Sequence, residues 1–112
     1  KKLLTDESRL IFVATDENDR VLGYIFCIII DHSADSARCP NTELYIDDLC
    51  VDENFRREGI GDALFQKALS TAQELGCHNL TLNVWEGNDS ALRFYEKHGM
   101  KIQKRELEIV LD

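Results

Sequence analysis

Proline is nearly absent from the 112-residue sequence: Pro40 is the only one. Long hydrophobic runs are absent too. The longest, Ile25 to Ile30, has six residues, whereas a helix that spans a bilayer takes about 20. The four cysteines, Cys27, Cys39, Cys50 and Cys77, form no C-x-x-C pair, and His32, His78 and His98 lack metal-ligand spacing. A zinc site is therefore not expected. The chain is not a cysteine-dense scaffold, so a reducing, cytoplasmic compartment is the expectation. Positive charge is in short supply. Thirteen basic residues stand against 21 acidic ones, for a net charge of -8. Such a field repels phosphate backbones and anionic lipid, so neither nucleic acid nor a membrane is an expected partner, whereas a cationic amine or basic peptide suits it. No signal peptide leads the chain and its first residue is not methionine, so it reads as starting inside a longer polypeptide or after processing.

What is present is an ordinary folding composition: 44% hydrophobic and 30% charged residues, with β-branched residues throughout, which argues against disorder. The length suits one domain, 1–112, around one core. There is no internal repeat. Leu10 to Ala14 and Val21 to Ile30 read as strands of an antiparallel hairpin around Asn18-Asp19, with Gly23 marking a bulge or a close approach. Residues 31–42 read as a loop. Glu43 to Val51 reads as a third strand, with Leu44, Ile46 and Asp48 on one face and Tyr45, Asp47, Leu49 and Val51 on the other. A turn over 52–61 leads to a helix whose stripe is Ile60, Leu64, Ala68, Ala72 and Leu75, stopped by Gly76. Asn79 to Val84 alternates as a strand. Asn88-Asp89-Ser90 signals a second helix that Gly99 ends. Leu107, Ile109 and Leu111 alternate with Glu106, Glu108 and Val110 and predict a last strand beside the Asn79 strand. The order β-β-β-α-β-α-β predicts an α/β (α+β) fold with a mixed, mostly antiparallel sheet and packed helices.

Chemistry concentrates first in Leu49-Cys50-Val51-Asp52-Glu53-Asn54-Phe55-Arg56-Arg57-Glu58-Gly59-Ile60-Gly61. A strand feeds a helix through a turn with two glycines, which let backbone amides approach a ligand. The new helix adds free N–H groups and its positive dipole end. Together they suit a pyrophosphate, and Arg56 and Arg57 can add charge-assisted bonds. The segment lacks both the Gly-Lys-Ser/Thr ending of a P-loop and the G-x-G-x-x-G order of a dinucleotide fold. The glycines can equally serve only a tight strand-to-helix turn.

Arg56-x-x-Gly59-x-Gly61, after a strand ending Leu49-x-Val51, resembles the acetyl-CoA motif of the GNAT superfamily of N-acetyltransferases. The segment Asn83 to Met100, with Asn88, Ala91, Tyr95 and Gly99-Met100, resembles the second motif of that family. The resemblance extends from the Leu10 strand onward. It implies a GNAT-like fold and acetyl-coenzyme A as donor. It implies cofactor contacts from Leu49, Cys50, Val51, Arg56, Arg57, Glu58, Gly59, Ile60, Gly61, Asp62, Asn88, Ala91 and Tyr95. Arg57 stands where many members have glycine. The implied reaction is direct attack of a primary amine on the thioester in a ternary complex, with no acyl-enzyme and no metal.

The attacking amine must lose a proton, which a carboxylate or a water chain can take. Tyr-Ile-Asp47-Asp48-Leu resembles the segment of polyamine and diamine acetyltransferases that carries Glu-Asp. Asp47 is thus the leading base candidate, Asp48 the second and Glu43 a third. Both aspartates could also merely orient substrate or cap backbone groups. Tyr95 matches the family tyrosine near the sulfur, a general acid for the leaving thiolate. Its plain alternative is a tyrosine on an apolar helix face. Trp85 is expected at the core or rim, and Cys50 is expected to be buried filler. Family members begin with a strand and one or two helices before the hairpin. Here only Lys1 to Arg9 precede it, so the chain resembles an N-terminally truncated member whose acceptor wall is incomplete. The acceptor is a small-molecule or peptide amine, and a homodimer is common in the family. The alternative function is a non-catalytic acyl-CoA-binding module, which would need the glycine turn but not Asp47 and Tyr95.

Overall fold

The computed structural model describes residues 8–31, 42–56 and 58–111. Strand β1 (Arg9–Thr15) and strand β2 (Val21–Asp31) pair antiparallel, and β2 pairs antiparallel with β3 (Thr42–Val51). A one-turn 3₁₀ helix (Glu53–Phe55) leads from β3 towards helix α1 (Ile60–Glu74). The chain returns as β4 (Asn79–Thr81), parallel to β3, and ends its regular structure with α2 (Asp89–Lys97). The sheet order is β1-β2-β3-β4. A crossover helix is what a parallel pair needs, and α1 supplies it between β3 and β4.

The core lies between one sheet face and α1. Ile25, Cys27, Leu44 and Ile46 meet Leu64, Phe65, Ala68 and Ala72, all buried. The α1 residues recur at the helical period, as the sequence predicts. Gly23 serves the close approach. A Cβ there would lie 2.8 Å from the Cys50 carbonyl oxygen. The β1–β2 register also shifts beside it, with Ala14 opposite Gly23 and Thr15 opposite Val21.

Three expectations are corrected. First, β3 does not alternate evenly. Phe26 pairs with Asp48 and Cys27 with Ile46, so Asp47 is an extra residue, a β-bulge. The bulge resets the alternation. Leu44 and Ile46 before it are buried, and Leu49 and Val51 after it pack on the same core, while Asp47 and Asp48 are both exposed. Second, β4 is shorter than Asn79 to Val84 and stops at Thr81. Third, residues 101–111 form no strand. Their alternation is real, but a strand needs a partner for its backbone groups. Among the described residues none pairs with this segment, and Leu107, Ile109 and Leu111 are 90%, 85% and 93% exposed.

Candidate active site

The site begins where β3 and β4 part. Their parallel register holds only over Glu43–Asn79, Leu44–Leu80 and Tyr45–Thr81. The Thr81 hydroxyl donates to the Glu43 carboxylate across the closed end. Beyond it β3 runs on to Val51 while the chain after Thr81 turns away. The Asn83 amide donates to the Tyr45 hydroxyl over 3.2 Å at the crotch of this fork. Among the described residues no strand lies on the β4 side of β3 from Ile46 to Val51, and its backbone groups there, apart from the Val51 carbonyl that accepts from Arg56, are open to a ligand.

Two lobes fill the fork. The larger, a cleft of about 480 Å³, is lined by Leu49, Cys50, Val51, Phe55, Arg56, Gly59, Gly61, Asp62, Ala91, Phe94, Tyr95 and Lys97. The smaller, about 180 Å³, is lined by Ile46, Asp47, Asp48, Leu49, Leu82, Asn83, Val84, Trp85, Asn88, Ala91 and Tyr95. Leu49, Ala91 and Tyr95 line both. Cations, Arg56 and Lys97, stand in the first lobe, and the carboxylates Asp47 and Asp48 in the second.

The floor of the large lobe is the start of α1. Gly59 is its N-cap at φ +81°, a left-handed conformation that costs other residues about 1–2 kcal/mol. Among the described residues no side chain caps this end. Ala63 N–H closes the first turn on the Gly59 carbonyl, which leaves the amides of Ile60, Gly61 and Asp62 as the helix's free donors. A Cβ on Gly61 would touch Phe94 at 3.6 Å and Val51 at 3.8 Å, ordinary contact distances. Arg56 Nε donates to the Val51 carbonyl over 3.3 Å, which anchors the guanidinium at the lobe. An uncapped helix start beside an arginine is a donor set that fits a pyrophosphate.

Helix α2 supplies the opposite wall. Asn88 Oδ1 accepts from Ala91 N–H over 3.3 Å and caps the helix while lining the small lobe. Tyr95 is half-buried and leans on Phe65, ring centroids 6.0 Å apart. Burial, and then the Asp48 carboxylate, push its phenol above the usual value. The group therefore stays protonated across the neutral range and remains a hydrogen donor. Asp48 in turn accepts from the Tyr24 hydroxyl over 2.7 Å.

Most sequence-predicted residues converge on this fork. Asp47, Asp48, Leu49, Cys50, Val51, Arg56, Gly59, Gly61, Asp62, Asn88, Ala91 and Tyr95 all line it. Glu58 and Ile60 do not; Glu58 is exposed and the Ile60 side chain packs on the core. Arg57 lies outside the described residues. Glu43 sits at the closed end with Thr81, away from the lining. Cys50 is not buried filler but an exposed thiol on the cleft wall. Trp85 is 89% exposed at the rim. Sequence reasoning missed Tyr24, Asn83, Phe55, Phe94 and Lys97. Only the strand register, which puts Tyr24 opposite Cys50, could have flagged the first.

Comparison with known proteins agrees with this fold. Residues 1–100 match the Acetyltransferase (GNAT) family model. The N-alpha-acetyltransferase 30 of Schizosaccharomyces pombe is 32% identical over 94 residues, 84% of this chain and 59% of that protein. The peptidyl-lysine N-acetyltransferase YjaB of Escherichia coli K12 is 32% identical over 95 residues, 85% of this chain and 52% of that protein. Among solved structures, a tetramutant of the BH1408 protein from Bacillus halodurans superposes with a TM-score of 0.82 at 30% identity, covering 96% of this chain and 69% of that one. The chain belongs to the GNAT acetyltransferase family. It spans little more than half the length of these two curated relatives. Among the described residues no helix is long and apolar enough to cross a membrane, and no group of three or more His, Cys, Asp or Glu could hold a metal.

Proposed function

We propose that this chain transfers an acetyl group from acetyl-CoA to a primary amine, by direct attack within a ternary complex. One observation carries the reading: the uncapped first turn of α1 and the Tyr95 phenol open into the same cleft. The amides of Ile60 to Asp62, with Arg56, would hold the pyrophosphate. The bare β3 edge would hold the acyl-bearing arm. Acetyl-CoA supplies a thioester whose carbonyl is open to attack by the amine. Asp48, with Asp47 on the bulge beside it, would accept the amine's proton. Tyr95 would give a proton to the leaving sulfur.

The carboxylates on the wall and the net charge of -8 favour a cationic acceptor, a polyamine or a basic peptide. One relative is named an N-alpha-acetyltransferase and another a peptidyl-lysine N-acetyltransferase. A cytoplasmic location and a homodimer belong to the same reading, tested by fractionation and sedimentation. The deciding experiment is calorimetric titration with acetyl-CoA, followed by an amine screen that starts from spermidine and a lysine peptide. Tyr95→Phe should then keep donor binding and lower kcat by about 10²-fold or more. Undiminished kcat would remove the acid role, and absence of donor binding by the folded wild type would remove the whole reading.

A further inference from the structure

The join between α1 and α2 is made by side chains that the proposed chemistry leaves unused. Helix α2 carries Tyr95 yet has no fully buried residue. What holds it against α1 is a set of rings and the polar contacts of His98 and Lys97. His98, the C-cap residue of α2, has a side chain only 11% exposed. Its imidazole lies 4.6 Å from the Phe65 ring and 4.8 Å from the Phe94 ring. Its Nε2 is 2.7 Å from Asp62 Oδ1, and its Nδ1 is 3.5 Å from Gln66 Nε2. These contacts match a neutral imidazole with its hydrogen on Nε2, which donates to the carboxylate while Nδ1 accepts from the Gln66 amide. Lys97 Nζ stands 3.7 Å from the same Asp62 oxygen.

Asp62 is an awkward neighbour for an anion site. It is the third residue of α1 and lines the lobe with Arg56, Gly59 and Gly61. A carboxylate at this point suits the helix dipole, and a side chain at the third position can reach back to the backbone amide of the N-cap, here Gly59, at the mouth of the same turn. An anion bound at that turn would then meet both a competitor and a like charge. Among the described residues no side chain bonds to the first amides of the helix. The Asp62 carboxylate is turned to His98 instead, and that bond holds it below the usual carboxylate range.

We propose that His98 is a positioning residue of the donor site: it holds the Asp62 carboxylate off the first turn of α1, keeping those amides open to an anionic donor, and by the same bond fixes the Tyr95 helix beside them. This rests on the acetyl-CoA reading above.

A double-mutant cycle tests it, with acetyl-CoA affinity read by calorimetry and folding by thermal melts. His98→Phe keeps a ring against Phe65 and Phe94 but removes the donor. It should weaken acetyl-CoA roughly tenfold, the scale of one like charge near an anion at a protein surface. Asp62→Asn should bind as tightly as wild type or tighter. Combined with His98→Phe, it should recover most of the loss. His98→Gln, which retains a donor without the ring, should stay within about threefold of wild type, since one hydrogen bond differs little in net worth between donors. A packing role alone predicts the opposite order, with His98→Phe benign, His98→Gln poor and no rescue by Asp62→Asn, and that pattern would overturn the proposal. Wild type that binds, with both His98→Phe and the double variant unchanged, also overturns it and leaves the acetyl-CoA reading standing. Folded wild type that fails to bind overturns both.

Discussion

The Tyr24 hydroxyl donates to Asp48 Oδ2 over 2.7 Å, from β2 to the bulged part of β3. The bond holds one carboxylate of the cleft in a fixed place beside Tyr95. Tyr24→Phe should release it. A side-chain hydrogen bond is worth about 1 kcal/mol net, so kcat should fall roughly three- to tenfold, and the melting temperature should drop by roughly 4–8 °C. Steady-state rates against the best amine would check this. An unchanged kcat would mean that Asp48 needs no help from Tyr24.

Thiol chemistry separates the cleft wall from the core. Cys50 is exposed in the large lobe, whereas burial pushes the Cys27 thiol up to about 11. The thiolate is the reactive form. Iodoacetamide at neutral pH should therefore modify Cys50 in the native protein and leave Cys27 intact, with peptide mass mapping as the readout. Acetyl-CoA should slow labelling of Cys50 in proportion to its occupancy. Equal labelling with and without the donor would place the donor somewhere other than this lobe.

The two helices were legible because their signals are local. Asn88 caps one, Gly76 and Gly99 follow the helix ends at positive φ, and the apolar stripe of α1 packs on the core at Ile60, Leu64, Ala68 and Ala72, while Leu75, its C-cap, is exposed. The glycine turn was legible for the same reason. The bulge was not. Strict alternation put Asp47 with Leu49 and Val51, and only pairing with β2 reveals that one residue is extra. The alternation of residues 106–111 reads as a strand because a sequence shows the pattern but not the partner. The Tyr24–Asp48 and Asp62–His98 bonds join residues 24 and 36 positions apart, where no local rule reaches.

Gly23 sets the spacing of the central strands. A methyl group there would lie 2.8 Å from the Cys50 carbonyl oxygen and 3.3 Å from Leu64 Cδ1. The first neighbour is backbone and cannot turn aside. Gly23→Ala should therefore cost about 1–3 kcal/mol of stability, the usual range for forced overpacking, measured by urea unfolding. A cost near zero would show that β2 and β3 can separate there without penalty.

The Asp62 clasp has a pH signature of its own. His98 first, and Lys97 less, hold this carboxylate below its ordinary value in the folded state. The unfolded chain then binds more protons than the native one between the two values. The stabilisation is accordingly present above the unfolded value of about 3.9 and is lost as pH falls through the folded one. Asp62→Asn removes that proton linkage. Its melting temperature should fall less steeply than that of wild type through the acid range, and parallel curves would deny the clasp a role in acid unfolding.

At the alkaline end the linkage runs the other way. The hydrogen bond to Asp48, and then its charge, raise the Tyr24 phenol; burial first and Asp48 second raise that of Tyr95. Above about 10 the unfolded phenols lose their protons while the native ones keep them. Stability is therefore fully present below the unfolded value and is lost as pH rises through the folded values. Asp48→Asn removes a cause shared by both residues. The tyrosinate absorbance curve should move to lower pH, and the alkaline fall in melting temperature should become shallower. Tyr24 should move more than Tyr95, since Asp48 is its largest cause and only the second for Tyr95. Running the titration in Tyr24→Phe isolates the Tyr95 part. If Asp48→Asn then leaves the curve unmoved, Asp48 does not act on Tyr95 through its charge, and the pairing of base and acid across this cleft loses its electrostatic support.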